Sequence, residues 1–163
     1  MEIEIFDIPV AINDDLDRKI ADAFLIFDHH GQKTVDVREI GSILRYLGLV
    51  PTEQEVSETI AETEFAGDSS GTVHLSKFLP YVKNLLLERR MEPAPIEKLL
   101  EAFQVLDFEG KGFVTKDFMA KIMMEEGEPF SLEELEEMFG CAVDSSTNRI
   151  SYEYYLNQLI HDY

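Results

Sequence analysis

Apolar residues recur along this chain at three- and four-residue intervals, in eight stretches parted by polar loops. Ile20, Phe24 and Phe27 keep that spacing up to Asp28, which puts them on one face of an amphipathic helix. Ile40, Ile43, Leu44 and Leu47 resume it after a loop, until Gly48 stops the helix. Thr52 and Glu55 have capping-box spacing, with Pro51 just outside, and open a third helix that turns Val56 and Ile60 inward. Phe78, Val82, Leu85 and Leu86 mark a fourth. The second half repeats the scheme. Ile96, Leu99, Leu100, Phe103 and Leu106 form one stripe, and Met119, Ile122 and Met123 another. Ser131 with Glu134 caps a helix carrying Leu135, Met138 and Phe139, and Tyr155, Leu159 and Ile160 close the chain. Stripes of this kind read first as core.

The two halves are copies. Asp28 and Asp107 each follow a pair of large apolar residues and lie 79 positions apart, as do Val35 and Val114, and Thr52 and Ser131. A fixed offset means one structural unit used twice. The prediction is an all-α protein of four helix–loop–helix segments in two pairs. Residues 1–15, with Pro9 and few helix signals, form an N-terminal extension; 16–87 form the first lobe and 96–163 the second. Residues 88–95 link them, and Pro93 with Pro95 forbids one uninterrupted helix there.

Loops between paired helices invite a comparison with the EF-hand. That loop holds calcium through oxygens at positions 1, 3, 5, 7 and 9 and a bidentate Glu at 12, with Gly at 6. Position 8 is aliphatic and pairs with the neighbouring loop. Loop one, Asp28 to Glu39, keeps acids at positions 1, 9 and 12: Asp28, Asp36 and Glu39. His30 occupies position 3, and Lys33 replaces the turn glycine, where a side chain strains the backbone. Loop two runs from Ala66 to Lys77, carries two extra residues, and puts an ammonium where the bidentate acid belongs. Loop three keeps Asp107, Glu109 and Gly112, but Lys111 and Phe118 fill positions 5 and 12. Loop four runs from Val143 to Tyr154 and has its acids, Asp144 and Glu153, out of register. Position 8 survives in all four, as Val35, Val73, Val114 and Ile150. The pairing residue and the helix stripes are kept while ligands are lost, so packing rather than metal should hold this fold. Calcium is not required by that reading; weak or vestigial binding is left to Asp28, Asp36 and Glu39, and to Asp107 and Glu109.

Charge narrows the partners. Lys and Arg number 14 against 33 Asp and Glu, a net −19, which argues against nucleic acid, whose phosphates need clustered bases. It suits either a soluble, self-repelling surface or a cation or basic protein partner. No apolar run approaches the ~20 residues of a membrane span, and the acidic opening Glu2, Glu4 and Asp7 lacks the basic region of a signal peptide. Residue 2 is Glu, not the Gly of a myristoylation signal. A cytoplasmic protein is expected, and one cysteine, Cys141, excludes an internal disulfide. His29 and His30 have no third ligand at metal spacing, and no phosphate loop, nucleophile elbow or zinc signature occurs. Catalysis is not expected. Met119, Met123, Met124 and Met138 cluster in the second half; such side chains either pack a core or line an adaptable peptide groove. With Phe24, Phe27, Leu44, Phe103 and Leu159 they are the candidates for contact with an amphipathic basic or IQ-like helix. Self-association is not expected.

Leu47-Gly48 followed by Pro51-Thr52-Glu53 resembles the calmodulin superfamily. The strings from Thr34 to Gly41 and from Glu125 to Ser131, with Phe78-Leu79-Pro80 and Leu86-Leu87-Glu88-Arg89, resemble more narrowly one EF-hand family, that of EF-hand calcium-binding domain-containing protein 2. The resemblance implies a calmodulin-like fold of two EF-hand pairs, with short β pairing between loops, serving as a subunit of the nexin–dynein regulatory complex in the axoneme of motile cilia and flagella. The family pattern carries Glu after Lys116-Asp117, and Phe118 departs from it. Three readings stay open: an adaptor that binds helices of other subunits largely without calcium, a calcium sensor of motility through loop one or three, and a light-chain-like subunit of an enzyme or motor.

Overall fold

The computed structural model describes residues 8–65 and 71–161. The chain divides into two compact units, Met1–Pro93 and Ala94–Tyr163. The first contains α1 (Asp15–Ile26), β1 (Thr34–Asp36), a 3-10 turn (Val37–Glu39), α2 (Ile40–Tyr46), α3 (Glu53–Thr63), β2 (Thr72–His74) and α4 (Leu75–Leu87). The second contains α5 (Ile96–Leu106), β3 (Val114–Thr115), α6 (Lys116–Glu125), α7 (Leu132–Ala142), β4 (Arg149–Ile150) and α8 (Tyr152–His161). The fold is the expected all-α, calmodulin-like arrangement. No helix among the described residues is long and apolar enough to cross a membrane.

α1, α3, α4, α6 and α7 start where a side chain takes a free amide, while α2 and α5 have no side-chain cap. Thr52 and Ser131 both make the reciprocal capping box, receiving the N–H of Glu55 and Glu134 while those carboxylates receive theirs. Asp14 caps α1 by accepting the Asp17 N–H at 2.8 Å. His74, fully buried, caps α4 through Nδ1, which accepts the Ser76 N–H at 3.0 Å. Burial lowers its pKa, with Lys33 adding to the effect, and the neutral ring is the form that can accept.

Within each unit, the two loops meet as a short antiparallel pair. Val35 lies opposite Val73, and Val114 opposite Ile150. All four are buried. Side chains at position 8 therefore zip the loops together. In the first unit α1 packs on α4 and α2 on α3; in the second α5 packs on α8 and α6 on α7.

Residues 88–95 do not form a free connector throughout. Arg89 and Met91 take left-handed backbone, at φ 56° and 58°, and the chain folds back on the first unit. The Val50 N–H donates to the Met91 carbonyl at 2.7 Å, and the Met91 side chain joins the first core. The change of unit falls after Pro93.

Candidate functional site

Loop one is closed by its own backbone. Asp28 Oδ2 accepts the Lys33 N–H at 2.8 Å, and Oδ1 accepts from His30 and Gln32 at 3.3 Å each. Lys33 takes φ 58°, the left-handed turn that glycine would adopt without strain. Arg38 lies beside Asp36 as a fork, with Nε and a terminal nitrogen each 3.0 Å from one carboxylate oxygen. That hydrogen-bonded guanidinium lowers the Asp36 pKa to about 2. A cation from the chain already occupies the acid at position 9. With His30 at position 3, the donor set of loop one fits a divalent ion poorly.

The other three loops do not fit one. Of loop two, residues 66–70, including Ala66 at the expected first position, lie outside the described residues. At its far end Lys77 Nζ donates to the Glu64 carbonyl at 3.3 Å, so an ammonium stands near where the bidentate acid would bind. In loop three Lys111 pairs with Glu109. Asp107 is held between loop amides and the Tyr152 hydroxyl, the latter at 2.8 Å. Phe118, at position 12, packs edge-on against Phe108 with ring centroids 6.4 Å apart. Loop four is a tight reversal: Asp144 and Arg149 form an isolated bridge, and Asp144 accepts the Ser146 N–H and hydroxyl at 2.9 and 2.7 Å. Carbon or fixed cations fill positions that calcium needs as oxygen.

The apolar candidates divide between the units. Phe24 and Leu44, expected to line a groove, have no accessible surface. They fill the closed interior of the first unit, where Phe24 meets Phe78 with centroids 5.0 Å apart. Phe27 is half-buried, edge-on to Tyr46. In the second unit Phe103 and Met119 form a buried floor, with Phe103 stacked on Tyr152 at 5.4 Å. Met123, Met138 and Leu159 are half-buried on α6, α7 and α8 around that floor. Met124 is exposed and outside the cluster, because one residue along a helix turns the side chain by about 100°. Leu99, Phe139 and Tyr155, read from the sequence as plain core stripes, join the half-buried wall.

The contrast between the units is large. Among the described residues, the first cluster has 17 buried hydrophobic residues and 8 half-buried ones packed on it; the second has 7 and 11. The second unit therefore leaves more of its apolar side chains half-exposed. Their surroundings are acidic: α7 carries Glu133, Glu134, Glu136 and Glu137 with no Lys or Arg.

Residues 96–158 match the family model of the EF-hand domain pair. The chain is 49% identical over 148 residues to dynein regulatory complex protein 8 of Mus musculus, covering 91% of this chain and 90% of that one. It is 50% identical over 109 residues to dynein regulatory complex protein 8 of Homo sapiens, covering 67% of this chain and 40% of that protein. Two solved structures are similar in fold. One is the crystal structure of Mlc1p bound to IQ2 of Myo2p, a class V myosin, with a TM-score of 0.68, 27% identity, and 85% of this chain and 95% of that one covered. The other is the Physarum polycephalum myosin II regulatory domain, with a TM-score of 0.67, 25% identity, and coverage of 93% and 98%.

Proposed function

From the premise that the chain belongs to the dynein regulatory complex protein 8 family of EF-hand proteins, we propose that it is a non-catalytic, calmodulin-like subunit of the dynein regulatory complex. In the axoneme of motile cilia and flagella it binds helical segments of other subunits, largely independently of calcium. The observation that carries this reading is the half-exposed apolar wall of the second unit, Met123, Met138 and Leu159 among it, in a unit where Lys111 and Phe118 fill two ligand positions of loop three and the acids of loop four stand out of register. In sensor EF-hands calcium is what exposes such a surface. Here that wall is half-exposed while Phe118 stands at ligand position 12 of loop three. The resemblance to Mlc1p, solved with an IQ segment, supports a helix as the ligand.

The test is isothermal titration of the full chain with an amphipathic basic IQ-type peptide, once in chelator and once in calcium. Equal affinities are expected, within a factor of about 3, since little differential ion binding is available to shift the equilibrium. Extraction of axonemes with chelator should leave the protein in place. Its release would end the calcium-independent reading.

A second reading has a specific observation in its favour. Loop one keeps acids at three ligand positions, Asp28, Asp36 and Glu39, and through them the protein would sense calcium. Magnesium-resistant calcium binding tighter than about 10⁻⁵ M, the weak edge of the sensor range, would select it. A third, a regulatory subunit of a motor or enzyme in the manner of a light chain, shares the same apolar wall and is separated by which proteins co-purify from ciliated and non-ciliated cells.

A further inference from the structure

We propose, resting on the helix-binding reading above, that the protein grips with one unit only: the second takes the basic helix, and an ion clasp holds the first shut. The duplication supplies its own control, because helix positions of one unit have counterparts in the other, 79 residues on before loop two and 77 after its two extra residues. Ile20, Leu44, Phe78 and Val82 are all fully buried. Their counterparts Leu99, Met123, Tyr155 and Leu159 are all half-buried.

The clasp explains the difference. Lys83 on α4 places Nζ 2.8 Å from Asp17 Oδ1 on α1 and 2.6 Å from Asp14 Oδ2. The other Asp17 oxygen accepts the Asn13 N–H at 2.8 Å. The Asp17 side chain is 2% exposed. Parting α1 from α4 would break both ion pairs of Lys83, itself 25% exposed. The counterparts of α1 and α4 are α5 and α8, two helices of the half-exposed wall. At the clasp positions the second unit has Ile96 and Ile160 in place of Asp17 and Lys83. Ile96 is half-buried and Ile160 exposed. Where the first unit has a lock, the second has more apolar surface.

Charge selects the occupant. Residues 94–163 carry fifteen Asp and Glu against five Lys and Arg, and one helix of that wall, α7, is acidic only. A helix with an apolar face and flanking Lys or Arg complements that surface; an acidic one is repelled.

The test uses the full chain with ¹³C-methyl methionine, in chelator, titrated with a synthetic Leu/Lys/Arg amphipathic helix of about 20 residues. Met123 and Met138 report on the half-exposed wall, and Met91, in the first core, reports on the other unit. One peptide per chain is expected, moving the Met123 and Met138 methyl signals and leaving Met91 still. Two peptides per chain, or an equal shift at Met91, overturns the one-unit grip while leaving the helix-binding reading intact. Absence of binding overturns both. The double variant Asp17→Asn, Lys83→Met removes the clasp without stranding a charge, and is expected to admit a second peptide with a shift at Met91. Retention of one-to-one binding refutes the clasp. Reversing Glu136 and Glu137 to Lys should weaken the peptide by about tenfold, in the range of close interfacial charge effects, and unchanged affinity rejects the basic occupant.

Discussion

The hydroxyl of Tyr152, in the first turn of α8, donates to Oδ2 of Asp107 at the head of loop three, at 2.8 Å. The same oxygen accepts the Gly112 N–H, also at 2.8 Å. An acid that opens a calcium loop elsewhere here ties two chain segments 45 residues apart. The strut belongs to a stack, since the Tyr152 ring lies nearly parallel to Phe103, 8° between planes.

Replacing Tyr152 with Phe keeps the stack and removes the donor. Burial pushes the Asp107 pKa up, but the Gly112 amide, the Tyr152 hydroxyl and other loop amides outweigh it and hold the carboxyl below its ordinary value. A depressed acid contributes stability above its unfolded pKa, and that contribution is lost as pH falls through the folded one. Tyr152→Phe should raise the Asp107 pKa and shrink the acid-side loss of stability. Carboxyl NMR titration of both proteins measures the first, and urea unfolding across acid pH the second.

Asp36 supplies a second acid window. Its carboxyl, held by Arg38, titrates at about 2, against roughly 3.9 in an unfolded chain. The contribution is present above that unfolded value and disappears as pH falls toward the folded one. It should be modest, because the pair is open to solvent, with Arg38 86% exposed. In Arg38→Ala the Asp36 titration should rise toward the ordinary carboxylate range but stay below it, because the N–H of residue 38 still donates to Asp36; an unchanged midpoint would place the cause elsewhere.

Loop three should regain an ion when its two misfits are reversed. Lys111→Asn and Phe118→Glu together restore oxygens at positions 5 and 12, with Asp107, Glu109 and Gly112 already in place. The double variant should bind calcium with Kd in the sensor range of about 10⁻⁷–10⁻⁵ M, measured by calorimetry. Each single change should gain less, because either misfit alone spoils the site.

Core and wall should separate by mutation. Phe24 is fully buried against Phe78, and Phe24→Ala should cost about 3–5 kcal/mol of unfolding free energy, as large-to-small changes in closed cores do. Met123 is half-buried, and Met123→Ala should cost less than the ~2 kcal/mol at the low end of core methionine truncations. Peptide affinity should respond in the opposite order, with Met123→Ala weakening it and Phe24→Ala leaving it unchanged wherever the chain is folded.

The ligand losses were plain in the letters because ion coordination is a local code: His30, Lys33, Lys77, Lys111 and Phe118 each sit at a defined loop position. Both capping boxes were equally plain, being contacts within one helical turn. The apolar candidates were harder. Phe24, Leu44 and Met123 all lie on apolar stripes, and a stripe says which face of a helix avoids water, not whether another helix covers it. Two of them turned out closed in and one half-open.

Period and spacing in the chain were enough to give duplication, the paired helices, the paired valines and isoleucine, and the loop positions where ligand residues are replaced, since each is a relation between near neighbours or a repeated unit. Only the tertiary structure decided that Lys83 meets Asp17 across 66 residues. Such a contact depends on how α1 and α4 pack, and no periodicity along either helix encodes it.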